Sequence, residues 1–152
     1  MLTFLLIFCA AFVLRIIISF WEISEARKEI KKIGGKLLWI DDIRDPFLDK
    51  EGKVPKEATE IHWVLKYHQF VSWITENGLP DIISFDHDLS DIHINKSTYK
   101  EKTGMDCAKW LVQYCMDKDL DLPQFYVHSA NPVGADNING VLNNYKKFRS
   151  GQ

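Results

Sequence analysis

The stretch KLLWIDD, residues 36–42, sets an unbroken apolar run directly before two acids. A strand buried on both faces reads as a continuous apolar run, and the carboxyl end of such a strand is where an open parallel sheet holds its ligands. Working outward, EISEARKEIKKIGG (22–35) carries helix formers closed by a glycine pair, which predicts a helical stem over 23–35 and a domain over 36–152. IRDPFLDKEGKVPKEATE (43–60) is rich in charge, Pro and Gly and reads as a loop with one helical turn at most. IHWVLKY (61–67) is a candidate second strand. HQFVSWITENGLP (68–80) then places Phe70, Trp73 and Ile74 on one helical face, with Gly78 and Pro80 as the stop.

The alternation continues. DIISFDHDL (81–89) is the third strand with its loop, and TGMDCAKWLVQYCMDKD (103–119) spaces Ala108, Leu111, Val112 and Cys115 as one face of a helix. QFYVHSANP (124–132) is a fourth strand running into a loop. GADNINGVLNNYKKF (134–148) closes the chain with Ile138, Val141, Leu142 and Tyr145 on one stripe. Strands alternating with helices predict an α/β domain of three layers around a mostly parallel sheet of four or five strands, with right-handed crossovers.

Composition bounds the rest. The chain has 152 residues, 46% of them hydrophobic and five of them tryptophan, enough for one packed core and not for two full domains. A net charge of −2 gives no basic footprint, so duplex DNA is not an expected partner. The cysteines are Cys9, Cys107 and Cys115, an odd number without a C-x-x-C pair, which suggests neither a disulfide framework nor a zinc site and fits a reducing cytosol.

Residues 2–21, LTFLLIFCAAFVLRIIISFW, stand apart as an apolar segment interrupted by Arg15. Twenty residues at about 1.5 Å each span roughly 30 Å, the thickness of a bilayer core. Residues 1–22 are therefore read as an anchor helix with Trp21 at the interface. Arg27, Lys28, Lys31, Lys32 and Lys36 follow it and place the domain on the cytoplasmic side, tethered to the inner face of the membrane.

Three of the four strands end in residues with chemistry: Asp41 and Asp42; then Asp86, His87 and Asp88; then His128, Ser129 and Asn131. Strand ends in such a sheet converge on one cleft. Acids gathered there repel one another unless a cation compensates, which points to a divalent metal on Asp41, Asp42 and Asp86, magnesium first and manganese as the alternative. His87 and His128, titrating near neutrality, are candidates for the two proton-transfer roles of acid and base.

The acid pair ending LLWIDD, the Asp in IISFDHDL and the Ser ending strand four resemble a response-regulator receiver domain, in which the pair binds magnesium and the third Asp accepts phosphate. A receiver would also need a fifth strand ending in lysine, whereas the only lysines after Ser129 are Lys146 and Lys147 in the closing helix. Four longer motifs, WIDDIRDP (39–46), LPDIISFDHDL (79–89), TGMDCAKWLV (103–112) and VHSANPVGADNINGVLNNY (127–145), resemble the divergent cyclic-phosphate-processing receiver family across nearly all of residues 36–148. The resemblance implies a receiver-like, flavodoxin-like fold. It also implies a phosphoesterase acting on a 2',3'-cyclic RNA end or a cyclic nucleotide, in a phage or bacterial setting of the RNA-repair kind.

On that reading Asp41, Asp42 and Asp86 hold the metal, and His87 and His128 move protons with Asp86 and Asp88 in support. Ser129 and Asn131 hold phosphate oxygens. Arg44 is a candidate phosphate clamp, and Thr103, Gly104 and Asp106 open a helix whose N–H groups favour a second phosphate contact. Two other readings stand beside it: a non-catalytic sensor that captures a cyclic nucleotide or phosphorylated end, and a degenerate receiver that accepts phosphate on Asp86. A two-aspartate phosphatase of the haloacid dehalogenase type is weaker, because after DHDL the chain lacks room for the remaining motifs.

Overall fold

Gly35–Ile40 forms β1, the strand foreseen before the acid pair, and its last four residues are fully buried. The structure, a computed structural model, describes residues 15–19, 21, 35–89 and 102–151. The chain divides into two units, residues 1–34 and 35–152. In the first, residues 15–19 and Trp21 are helical, and the remainder of the expected anchor and all of the stem but Gly35 lie outside the described residues. Among the described residues no helix is long and apolar enough to cross a membrane.

In the second unit, a 3-10 turn at Pro46–Leu48 sits in the loop after β1, and β2 is Ala58–Val64. There follow α1 (Tyr67–Asn77), β3 (Ile82–Phe85), α2 (Gly104–Asp117), β4 (Gln124–Val127) and α3 (Pro132–Ser150). The four strands are all parallel, in the order β2-β1-β3-β4. The second strand therefore lies three residues upstream of IHWVLKY, and Tyr67 opens α1 instead of ending a strand. The slip has a physical cause: Thr59 and Glu60 are exposed on this edge strand, so the polar residues that look like loop are its solvent side.

Two apolar clusters divide the sheet by face. Leu38, Ile40, Ile83 and Phe85 pack with Phe70 and Ile74 of α1, Cys107, Ala108, Leu111 and Cys115 of α2, and Ile138, Leu142 and Tyr145 of α3. On the other face Leu37, Trp39 and Ile82 pack with Val54, Ala58, Ile61 and Trp63. Helices α1, α2 and α3 thus pack on one face, so the described residues supply two layers where the sequence predicts three. The β1–β2 connection, which would supply a helix to the second face, is held as a loop by Asp49, whose carboxylate accepts from the N–H of Glu51 and Val54 at 3.0 and 2.7 Å.

Candidate functional site

Strand pairing continues one residue beyond each strand into the chemical groups. Asp41 N–H donates to the Val64 carbonyl (3.2 Å), Asp86 N–H to Ile40 (2.9 Å) and His128 N–H to Phe85 (2.9 Å). These bonds fix the backbone of three candidate site residues at one level along the sheet's carboxyl edge. Asp41, Asp42 and Asp86 each offer one carboxylate oxygen, and the three oxygens lie within 4.8 Å of one another. The donor set is entirely carboxylate oxygen, which fits a hard divalent cation such as magnesium and not a soft thiophilic one.

Asp41 is fully buried. Its Oδ1 accepts the N–H of Ile43 (2.8 Å) and of Arg44 (2.6 Å); its Oδ2 accepts from the Arg44 guanidinium (3.0 Å) and meets His128 Nε2 at 3.0 Å. Burial alone would raise this carboxyl's pKa. The bonds from His128, from the two backbone N–H groups and from the guanidinium outweigh burial and hold it below the ordinary 3.8. The same Arg44 nitrogen reaches Asp86 Oδ1 at 3.2 Å. Burial works against the guanidinium's charge, but its carboxylate partners prevail and raise its pKa further.

The two histidines, foreseen as one acid–base pair, stand in different surroundings. His128 lies on the second face, buried, its ring stacked on Trp39 with centroids 3.8 Å apart and planes at 16°. Nδ1 meets Ser84 Oγ at 2.8 Å and Nε2 meets Asp41, so both ring nitrogens are engaged within the protein. That geometry suits a residue that holds Asp41 in place more than one that exchanges protons with a ligand. His87 lies on the helix side, its ring against Gly134, where a Cβ would stand 2.3 Å from Cγ. His87 Nδ1 meets Asp88 Oδ1 at 2.7 Å. The side-chain amide of Asn131 faces the Asp88 carboxylate at 3.4 Å, at the long limit of a hydrogen bond.

Other candidate contact residues also hold the local fold. Thr103 is the N-cap of α2 in a capping box: its N–H and hydroxyl donate to Asp106 Oδ2 at 2.8 and 3.2 Å. Gly104 N–H donates to the His87 carbonyl at 2.9 Å. These donors bond within the protein, and at Thr103, Gly104 and Asp106, where a phosphate contact is expected, they form a cap that ties α2 to the DHD segment. Asn131 caps α3, its Oδ1 accepting from Gly134 N–H at 3.0 Å, with Pro132 at the first helical position. Ser129 Oγ accepts from Asn131 N–H at 3.2 Å, which leaves its O–H as a donor at the edge.

Three residues that sequence reasoning passed over complete the site. Ser84 bonds His128 from within β3; Trp39 Nε1 donates to the Arg44 carbonyl (3.0 Å), and Trp63 Nε1 to the Asp41 carbonyl (2.6 Å). The only signal for Ser84 was a hydroxyl inside an apolar strand.

The profile of the Cyclic-phosphate processing Receiver domain matches residues 36–144. The chain belongs to that family. Similar solved structures share 14–18% of their sequence with this chain. One fusion carrying the yeast Spc42 trimeric coiled coil has 17% identity and TM-score 0.46, covering 71% of this chain and 62% of its own. The signal receiver domain of a protein described as a Luxo repressor, from Vibrio parahaemolyticus, has 18% identity and TM-score 0.41, covering 77% and 93%. NtrX from Brucella abortus has 14% identity and TM-score 0.40, covering 78% and 29%. The chain thus spans less than two thirds of the first of these. No curated protein matches it.

Proposed function

We propose that this receiver-family domain is a metal-assisted phosphoesterase that opens a cyclic phosphate, on a 2',3'-cyclic RNA end or a cyclic nucleotide. The observation that carries the reading is the Asp88–His87 pair seated on Gly134, one residue along the chain from the carboxylate cluster. With Asp88 accepting the Nδ1 proton, His87 Nε2 is left to take a proton from water. The water oxygen bonds to phosphorus, one ring P–O bond breaks, and the departing oxygen is protonated from solvent at an edge where the Asp88 side chain is 58% exposed. A magnesium or manganese ion on Asp41, Asp42 and Asp86 would supply charge stabilisation for the phosphoryl oxygens. Ser129 O–H donates to a phosphate oxygen, and Asn131 keeps Asp88 turned toward His87. His128 and Ser84 position Asp41.

The test is incubation of the full chain with magnesium or manganese and a panel of 2',3'-cyclic-phosphate RNA ends and cyclic nucleotides, followed by mass. A gain of one water that disappears in His87→Ala supports the reading. Tight binding without a mass change on any of the panel refutes catalysis in favour of a sensor, and acid-labile phosphate on Asp86 after a small phosphodonor refutes it in favour of a receiver. For the apolar segment 2–21 we propose a membrane tether, supported by its length and by the basic residues after it. Full-length protein that stays in the supernatant after membranes are pelleted would refute the tether.

A further inference from the structure

Asp41 presents a problem for any cation that would use it. A carboxylate has about four lone-pair positions, and the Asp41 oxygens already meet four partners: Ile43 N–H, Arg44 N–H, Arg44 guanidinium and His128 Nε2. Two of these are backbone groups of the loop and one is a buried, stacked ring. Only the guanidinium can leave without unmaking the fold. Arg44 is built for leaving: its main chain is pinned by the Asp41 carboxylate on one side and the Trp39 indole on the other, while its side chain remains 34% exposed on a four-atom lever. The same guanidinium nitrogen also holds Asp86, the second acid of the cluster.

We infer that Arg44 is the resident counter-ion of the carboxylate cluster, that a divalent cation displaces it, and that the displaced guanidinium becomes the ligand for the substrate's phosphate. The inference rests on the metal-assisted reading above and specifies how cation and phosphate are coupled. A guanidinium released from two carboxylates keeps its charge and its forked donors, which match two oxygens of a phosphate. Because coupling between two ligands is reciprocal, the cation then raises phosphate affinity by the same factor that phosphate raises cation affinity.

The experiment titrates manganese into the full chain by calorimetry and by loss of the free-ion paramagnetic signal, for the wild type, Arg44→Gln, Arg44→Lys and Asp42→Asn. Each variant is first melted in chelator to establish that it is folded. Removal of the competitor tightens manganese binding in Arg44→Gln by about tenfold, within the roughly 5–150-fold range of ordinary coupling. Arg44→Lys, which keeps the charge, stays near wild type, and Asp42→Asn binds weakly. A slowly hydrolysed phosphorothioate analogue of a nucleoside 2',3'-cyclic phosphate, measured before turnover, binds the wild type more tightly with manganese than without, and Arg44→Gln lacks that gain. Equal or weaker manganese binding in Arg44→Gln overturns the counter-ion role while leaving the metal reading in place. A phosphate gain that persists in Arg44→Gln overturns the hand-over. Absence of manganese binding in every protein, including the wild type, removes the metal reading and this inference together.

Discussion

Replacing Gly104 by alanine is a sensitive probe of how α2 supports the site. A Cβ at this position would stand 1.8 Å from the Asp86 carbonyl oxygen and 2.9 Å from its carbon, and both atoms are backbone. Carbon–oxygen contacts settle near about 3.3 Å, so the start of α2 must retreat by roughly 1.5 Å. The retreat breaks the Gly104 N–H to His87 carbonyl bond, worth about 1 kcal/mol, and distorts a packed junction at a further ~1–3 kcal/mol. Alanine's better helix propensity returns about 0.5–1 kcal/mol. The net expectation is a loss of about 2 kcal/mol, equivalent to a urea midpoint lower by about 1 M at an ordinary dependence on denaturant. Gly140→Ala is the matched control, because a Cβ there meets nothing within 4 Å, and it should leave stability unchanged or raise it by up to ~1 kcal/mol. Urea unfolding of the full chain followed by circular dichroism measures both. Equal midpoints for Gly104→Ala and Gly140→Ala would refute the close approach of α2 to the DHD segment.

On the proposed phosphoesterase reading, Gly134→Ala drives the His87 ring from its seat and lowers hydrolysis of a cyclic phosphate by about 10²–10⁴-fold, as for His87→Ala, while the urea midpoint moves little; retained turnover would exclude His87 from the proposed reaction. His128→Leu leaves buried Asp41 and Ser84 short of a partner and costs about 3 kcal/mol by urea unfolding, against about 1 kcal/mol for Ser84→Ala. Asp41 and Asp106 are both held below 3.8 in the folded chain, in each case because their hydrogen bonds outweigh burial. Their contribution to stability is therefore present above that value and is lost as pH falls through the lower folded value, so thermal stability should hold above about pH 4 and decline below it. Burial pushes the Cys107 thiol far up and the Cys115 thiol to about 11, so neither should react with a thiol reagent at pH 8 until the domain unfolds, as peptide mapping would show.

The alternation of apolar runs and helical stripes was legible because β1 and β3 are buried on both faces and the helices present regular apolar stripes to them. The carboxylate cluster was legible too, since Asp41, Asp42 and Asp86 follow directly on those runs. What stayed hidden shares one cause, that side chains were judged by type without their partners. In the sequence Trp39 and Trp63 stand out only as members of apolar strand runs, yet each donates to a carbonyl of the Asp41–Arg44 loop. Thr103 and Asp106 read as anion contacts, yet they satisfy each other. The β1–β2 connection was legible as a loop with one turn, from its charge, Pro and Gly, but the three-layer expectation did not follow through what a loop there means for the second face. His87 and His128 looked like a pair because adjacent strand ends converge, but one ring lies against a helix and the other on Trp39.

Trp39 gives the site an optical reporter of its own. An excited indole stacked 3.8 Å from an imidazole is quenched by electron transfer to it, more so when the imidazole is protonated, and its emission colour follows the polarity around its N–H. Here that N–H is bonded to Arg44 and the stacked ring is bonded to Asp41. Movement of the arginine side chain or a change of charge on the carboxylates should therefore register as a shift in intrinsic fluorescence, separable from the other tryptophans by a Trp39→Phe subtraction. Occupancy of the edge is then readable in real time without a label, a coloured substrate or a coupled assay.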